Sequence, residues 1–262
     1  MIQKASVHYI GDMLLKSLRS YYIILLIILA TFIAFGAITY MTATNGGTNP
    51  EHFTLMIHTS GVEITTIIYI FVTGLVSFRD TFRMHLQNGM TRKSHFFGMA
   101  ISALGFAGVA ALADTVLGLI VKALLGRIGM PYISVFGMLY ENTSASLALP
   151  LRALYTIVFL LAIYFMVFMG GYLISTLFFR LNKAGKVGFA ISAPILVFWI
   201  LPMVDVLFLS GQVTMFIIDV IKFALGLFDG ERPYFAILFA CATSIICGAG
   251  SFLLQRRAAL KE

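Results

Sequence analysis

Apolar residues run through this chain in blocks near or above 18 residues, and that leaves few folds open. In the clearest block, residues 21–41, no charge interrupts YYIILLIILATFIAFGAITYM. A helix needs about 20 apolar residues to cross the hydrocarbon core, where every backbone group must be hydrogen-bonded internally. Further blocks occupy 61–78, 97–124, 151–179, 187–209 and 234–254. Composition agrees, since 60% of the 262 residues are hydrophobic and 11% are charged. A soluble domain carries roughly 25% charged residues, so this chain cannot cover a water-facing surface. The sequence therefore predicts an all-α polytopic membrane protein with six transmembrane helices, a single domain over 1–262. Its polar segments stay under about 30 residues, too short for an independent core. No short apolar region with a small-residue cleavage site opens the chain, so no removable leader is expected.

The segments around the spans have their own patterns. In 1–20, Val7, Ile10, Met13, Leu14 and Leu18 follow helical spacing among Lys4, Lys16 and Arg19. That predicts an N-terminal amphipathic interfacial helix. Residues 126–150 are mixed and turn-rich. Pro194 and Pro202 fall inside the fifth span and remove backbone donors, so a kink or local break is expected there. Residues 212–228 are apolar but short, hold Asp219 and Lys222, and stop at Asp-Gly and Arg-Pro pairs. They read as a re-entrant element between helices five and six. With the N-terminus inside and six crossings, thirteen of the 18 Lys and Arg residues lie on the inner side. This is the asymmetry that cytoplasmic loops carry, so the expected location is the cell membrane with both termini cytoplasmic. A full crossing by 212–228 would move Arg256 and Arg257 outside. The net charge of +7 then reflects inner loops rather than a nucleic-acid partner.

Catalytic signals are weak. No Gly-rich phosphate loop ends in Gly-Lys-Ser/Thr, so the chain itself is not expected to hydrolyse ATP. The five histidines show no metal-binding helical spacing inside a span. His85 and His95 fall in a polar loop, where solvated or interfacial rings are expected. Cys241 and Cys247 lie about 1.7 helical turns apart and face different ways, as buried thiols rather than a disulfide or metal pair. No cofactor or metal is expected on this chain. Glu63, Asp114 and Asp205 are the intramembrane acids, and a charge in hydrocarbon is costly enough to mark each as a candidate polar contact. Asp114 is the deepest. Glycines and alanines through the third span, and Gly170-Gly171 in the fourth, suit close helix packing.

Residues 79–97, RDTFRMHLQNGMTRKSHFF, form the longest basic interruption. Arg79, Arg83, Arg92 and Lys93 are opposed only by Asp80. Phe82, Leu86 and Met90 are spaced four apart, an apolar stripe on one face of a short helix. Asn88-Gly89 then reads as a break. A turn between antiparallel spans needs only a few residues, as RLNKAGK at 180–186 shows. The longer segment suits docking on a partner.

With these features the chain resembles the membrane subunit of a type-2 ABC exporter. The resemblance rests on the layout and on QNGMTRKSHFFG, residues 87–98, which is similar to the segment N-G-x-[S/T]-R-[K/R]-x-x-F of bacterial members. It implies that 79–96 holds a cytoplasmic coupling helix docked on a separate ATPase dimer, through Arg79, Phe82, Arg83, Leu86, Met90, Arg92 and Lys93. It also implies ATP and Mg in that partner, a second permease subunit, and export of a hydrophobic or amphipathic substrate such as a lipid, peptide or drug. The alternatives are a secondary transporter working without an ATPase, which would want deep charges in paired spans and inverted repeats, and an intramembrane enzyme.

Overall fold

The computed structural model describes residues 2–45, 61–126, 133–208, 211–227 and 230–256. Within the helices, the side chains of Arg79, Asp80, Arg83 and residues 32–45 are among those outside that description. The described chain is helical, with no strand among the described residues. In order, the helices are α1 (Ile2–Asn45), α2 (Gly61–Gln87), α3 (Arg92–Gly126), α4 (Val135–Leu139), α5 (Glu141–Ser146) and α6 (Leu149–Arg180). Then come α7 (Lys183–Ile195), a π turn (Leu196–Ile200), α8 (Leu201–Phe208), α9 (Gln212–Ala224) and α10 (Pro233–Arg256). Among the described residues, four segments are long and apolar enough to cross a membrane: Val7–Thr31, Arg92–Leu124, Leu149–Arg180 and Pro233–Arg256. The apolar part of α2, Val62–Phe78, is shorter. Large apolar side chains such as Ile27, Ile245 and Ile246 face outward, as lipid-facing helices require. The molecule is a helical, membrane-embedded protein.

Helix α6 is the centre of the bundle, and α2, α3 and α10 all pack on it. Its buried row Leu160, Tyr164, Phe168, Tyr172 and Thr176 repeats every four residues, one face of a helix. Helix α2 buries a matching row, Ile70, Phe78 and Phe82, with Gly74 in phase. The two helices touch closely at glycines. A β-carbon on Gly74 would stand 2.5 Å from the Phe168 carbonyl oxygen, and one on Gly171 would stand 2.5 Å from that of Phe71. Small residues allow this approach where no water drives helices together.

Helix α1 packs along α3. Ile10, Leu14 and Leu18 of α1 and Ala103, Ala107, Ala110 and Ala111 of α3 are buried in one core. Residues 1–20 and 21–41, expected as a surface helix and a separate span, are from Ile2 onward one unbroken helix. The stripe expected at the membrane surface is instead buried in the bundle, because α3 presents a run of alanines that accepts it.

The bundle has two unlike poles. At one, Phe82 of α2 meets Phe179 of α6 with ring centroids 5.6 Å apart, and the Arg92 guanidinium donates to the Arg256 carbonyl at 2.7 Å. The α2–α3 turn and the ends of α6 and α10 therefore share this pole, with Arg92, Lys93, Arg180 and Arg256. At the other pole α4 and α5 form a cap. Phe136 and Tyr140 are fully buried against Phe159, at 5.7 and 5.8 Å between rings. The Tyr140 hydroxyl donates to the Leu225 carbonyl at 2.7 Å. The Glu231 carboxylate accepts the backbone N–H groups of Asn142 and Thr143 at 3.1 and 2.8 Å. Burial pushes this carboxyl up, but the hydrogen bonds outweigh that and hold it below the ordinary carboxylate range. The turn-rich stretch at 126–150 thus contains a two-helix cap, while 127–132 lies outside the described residues.

The fifth expected span changes helical register. The Leu201 N–H bonds to the carbonyl of Leu196, five residues back, just before Pro202, which has no N–H to give. Residues 183–208 and 211–224 stand largely apart from the bundle, and α9 buries no residue. Trp199 is 79% exposed and Met203 63%.

Candidate functional site

Helix α2 continues to Gln87, so the expected coupling segment is not a separate helix but the end of a helical hairpin. The chain reverses over Asn88–Thr91. Gly89 adopts φ 74°, a left-handed conformation that glycine takes without steric cost. The Gly89 N–H returns to Leu86 at 3.1 Å and the Met90 N–H to His85 at 3.0 Å. The Thr91 side chain then caps α3, accepting from the Ser94 N–H at 3.2 Å.

This corrects the expected docking stripe. Phe82 is 0% exposed, stacked on Phe78 at 4.7 Å and edge-on to His95 at 5.4 Å. It cannot fill a groove on a partner. Leu86 is half-buried against the same core. The reason is phase: Phe82 and Leu86 continue the buried row of Ile70, Gly74 and Phe78, and no break in α2 lets them turn away. The pole keeps Asn88 and Lys93 exposed and Met90 and Arg92 half-buried. The side chains of Arg79 and Arg83 lie outside the described residues.

His85 and His95 close the hairpin. Their Nδ1 atoms stand 2.8 Å apart, both rings buried, so one donates and the other accepts. Tyr9 of α1 lies edge-on to His85 at 5.9 Å. The expectation of solvated rings is overturned. A second row on α2, Thr73, Ser77, Thr81 and His85, carries polar groups inward at four-residue spacing. The hydroxyls of the first three donate to carbonyls four residues back, which satisfies them without water. No group of three or more His, Cys, Asp or Glu residues able to hold a metal occurs among the described residues.

Burial lowers His85 from its ordinary value. An unfolded histidine charges below pH ~6.5, whereas the buried one resists. The pair's contribution to stability is therefore complete above about pH 6.5 and declines as pH falls below it. Melting of the purified protein should be flat from pH 8 to about pH 7 and drop towards pH 5. A His85→Gln variant should show a shallower drop.

The three acids have separate jobs. Asp114 is fully buried and joins three helices, accepting from the hydroxyls of Tyr22 on α1, at 2.8 Å, and Tyr164 on α6. Tyr22 also donates to the Ala110 carbonyl at 3.1 Å. Glu63 is buried at the start of α2 and accepts the Val135 N–H of the cap. Asp205 accepts the N–H groups of Val213 and Thr214, each at 2.8 Å. These are the orphan donors of the first turn of α9, which a carboxylate satisfies. Asp114 and Asp205 are thus held on different elements and do not form a pair. Cys241 is exposed and Cys247 intermediate, both free, so the expected burial does not hold for Cys241. Comparison with family models, characterised proteins and solved structures finds no match.

Proposed function

We propose that the chain is the permease subunit of an ATP-driven exporter in the cell membrane. The observation that carries this reading is the basic pole. A tight turn, Asn88–Thr91, projects from a rigid hairpin between α2 and α3, with Lys93 exposed beside it and Arg92 tied to the end of α10. A polar turn braced on both sides can transmit a push into α2 and α3 without deforming. The docking contact is this turn with Lys93 and Met90, and not the buried Phe82.

In this reading the chain crosses six times, with α2 and the α7–α8 segment added to the four long apolar helices. Helix α9 does not cross. Its start is held by Asp205 and its end by the cap through Leu225, as a re-entrant or interfacial element would be. The apolar arm of residues 183–208 and 211–224, little covered by its own bundle, supports a second permease copy or a related chain beside it. ATP and Mg sit in the partner ATPase dimer, whose closure would move the turns of both permeases together. Both termini are then cytoplasmic.

The test is extraction in mild detergent followed by purification of the chain. The wild type should carry a stoichiometric ATPase subunit. Lys93→Glu with Asn88→Asp should lose it by about tenfold or more, as charge reversal at a contact does. A well-folded wild type without an ATPase would contradict the proposal and favour a transporter working alone.

A further inference from the structure

At the pole opposite the basic turn, a cavity of about 160 Å³ lies between α2, α3, α6 and the cap. It far exceeds the ~10–15 Å³ that one water needs. Glu63, Lys122 and Arg152 line it, with Ser134 on the cap side and Leu119 and Leu149 among its walls. Three features make it a built site rather than a gap. First, two cations converge there with no ion pair to either among the described residues, where the only one found is His8–Asp12. Second, the Arg152 guanidinium reaches across to the cap and lies beside Gly137. A β-carbon on Gly137 would stand 2.9 Å from its Nη2. Third, Leu149 is 67% exposed and Leu119 43%, and both belong to helices apolar enough to cross a membrane. Cations lining the cavity beside exposed apolar wall is the pattern an amphiphile matches.

We infer that this cavity binds the phosphate-bearing headgroup of a lipid, with Arg152 and Lys122 on the phosphate and the acyl chains running out over Leu119 and Leu149. A planar guanidinium takes two phosphate oxygens at once, and an ammonium adds a point charge. The Glu63 carboxylate, with one oxygen on the Val135 N–H, provides an acceptor for a headgroup hydroxyl or amine. The hydroxyls of Thr115 and Thr156 are already spent on the carbonyls of Ala111 and Arg152, so the cations carry the recognition. The site stands on the cavity alone and does not require an ATPase partner.

The experiment uses the purified, delipidated full chain, without nucleotide or partner. Dioleoylphosphatidylglycerol, dioleoylglycerol and inorganic phosphate are added separately, and bound adducts are read by native mass spectrometry. The phospholipid should bind one per chain, about tenfold more tightly than the phosphate-free lipid. Arg152→Gln should remove that preference. Lys122→Gln, at an exposed position, should weaken it with an unchanged melting temperature, which separates binding from folding. Equal binding of dioleoylglycerol, or undiminished binding in both variants, would overturn the inference. So would saturation by inorganic phosphate with no gain from the lipid, which would make the site one for a free anion. None of these results bears on the ATPase, so either reading can fail without the other.

Discussion

Replacing Gly171 by leucine should destabilise the protein more than any other single change considered, by about 3 kcal/mol or more. The position faces backbone rather than side chain. Its β-carbon would stand 2.5 Å from the Phe71 carbonyl oxygen and 3.1 Å from the Leu75 amide nitrogen. A side chain in the way can rotate, but a helix backbone cannot, so α2 and α6 must separate. That separation would open the row of Phe78, Phe82, Phe168 and Tyr172 that forms the core. Gly170, one residue earlier, has nothing within 4 Å of its would-be β-carbon. Gly170→Leu should therefore cost little. Unfolding of both variants in a denaturing detergent titration, against wild type, makes the comparison. Equal losses at 170 and 171 would mean that α2 and α6 do not cross at this point.

The second large effect is expected at Asp114. Asp114→Leu should cost about 2 kcal/mol. The Tyr22 hydroxyl keeps the Ala110 carbonyl as an acceptor, so the main loss falls on Tyr164, whose hydroxyl is fully buried and would have no other partner seen in the structure. Hydrogen bonds between membrane helices average only ~0.6 kcal/mol, because the dissociated state also finds partners. The unpaired hydroxyl, rather than the lost bond, makes the leucine variant worse than that average. Asp114→Asn retains an acceptor for one tyrosine and a donor for the other, and should cost under about 1 kcal/mol. Tyr164→Phe in the leucine background should restore much of the loss, since it removes the stranded group. The same unfolding titration reads all three. A leucine variant as stable as wild type would show that Asp114 does not bind these helices together.

The helical, membrane-embedded character was legible because hydrocarbon leaves so little choice: long apolar runs must be helices. The deepest acid was also legible, since only a buried partner could keep Asp114 inside. What escaped were features set by phase across an expected boundary. The span ending near Phe78 and the loop beginning at Arg79 read as separate units. Yet Ile70, Gly74, Phe78, Phe82 and Leu86 form one four-residue series, and Thr73, Ser77, Thr81 and His85 form another. Extending either series across the boundary would have predicted the burial of Phe82 and His85. A similar series through Ile10, Leu14 and Leu18 suited a membrane surface and a protein surface equally well. Only the alanines of α3 decide between them. The cap at 135–146 left no strong signal, because two short helices held by Phe136, Tyr140 and a distant Glu231 depend on contacts far apart in sequence.

The proposed coupling to an ATPase is tested most directly by placing a photo-reactive amino acid at Asn88, the exposed tip of the α2–α3 turn, and irradiating intact cells. One cross-linked product that contains an ATP-binding subunit is expected, absent when the same group is placed at Glu141, exposed in the opposite cap. Cross-links from both positions alike, or none from Asn88 in a well-expressed protein, would contradict it.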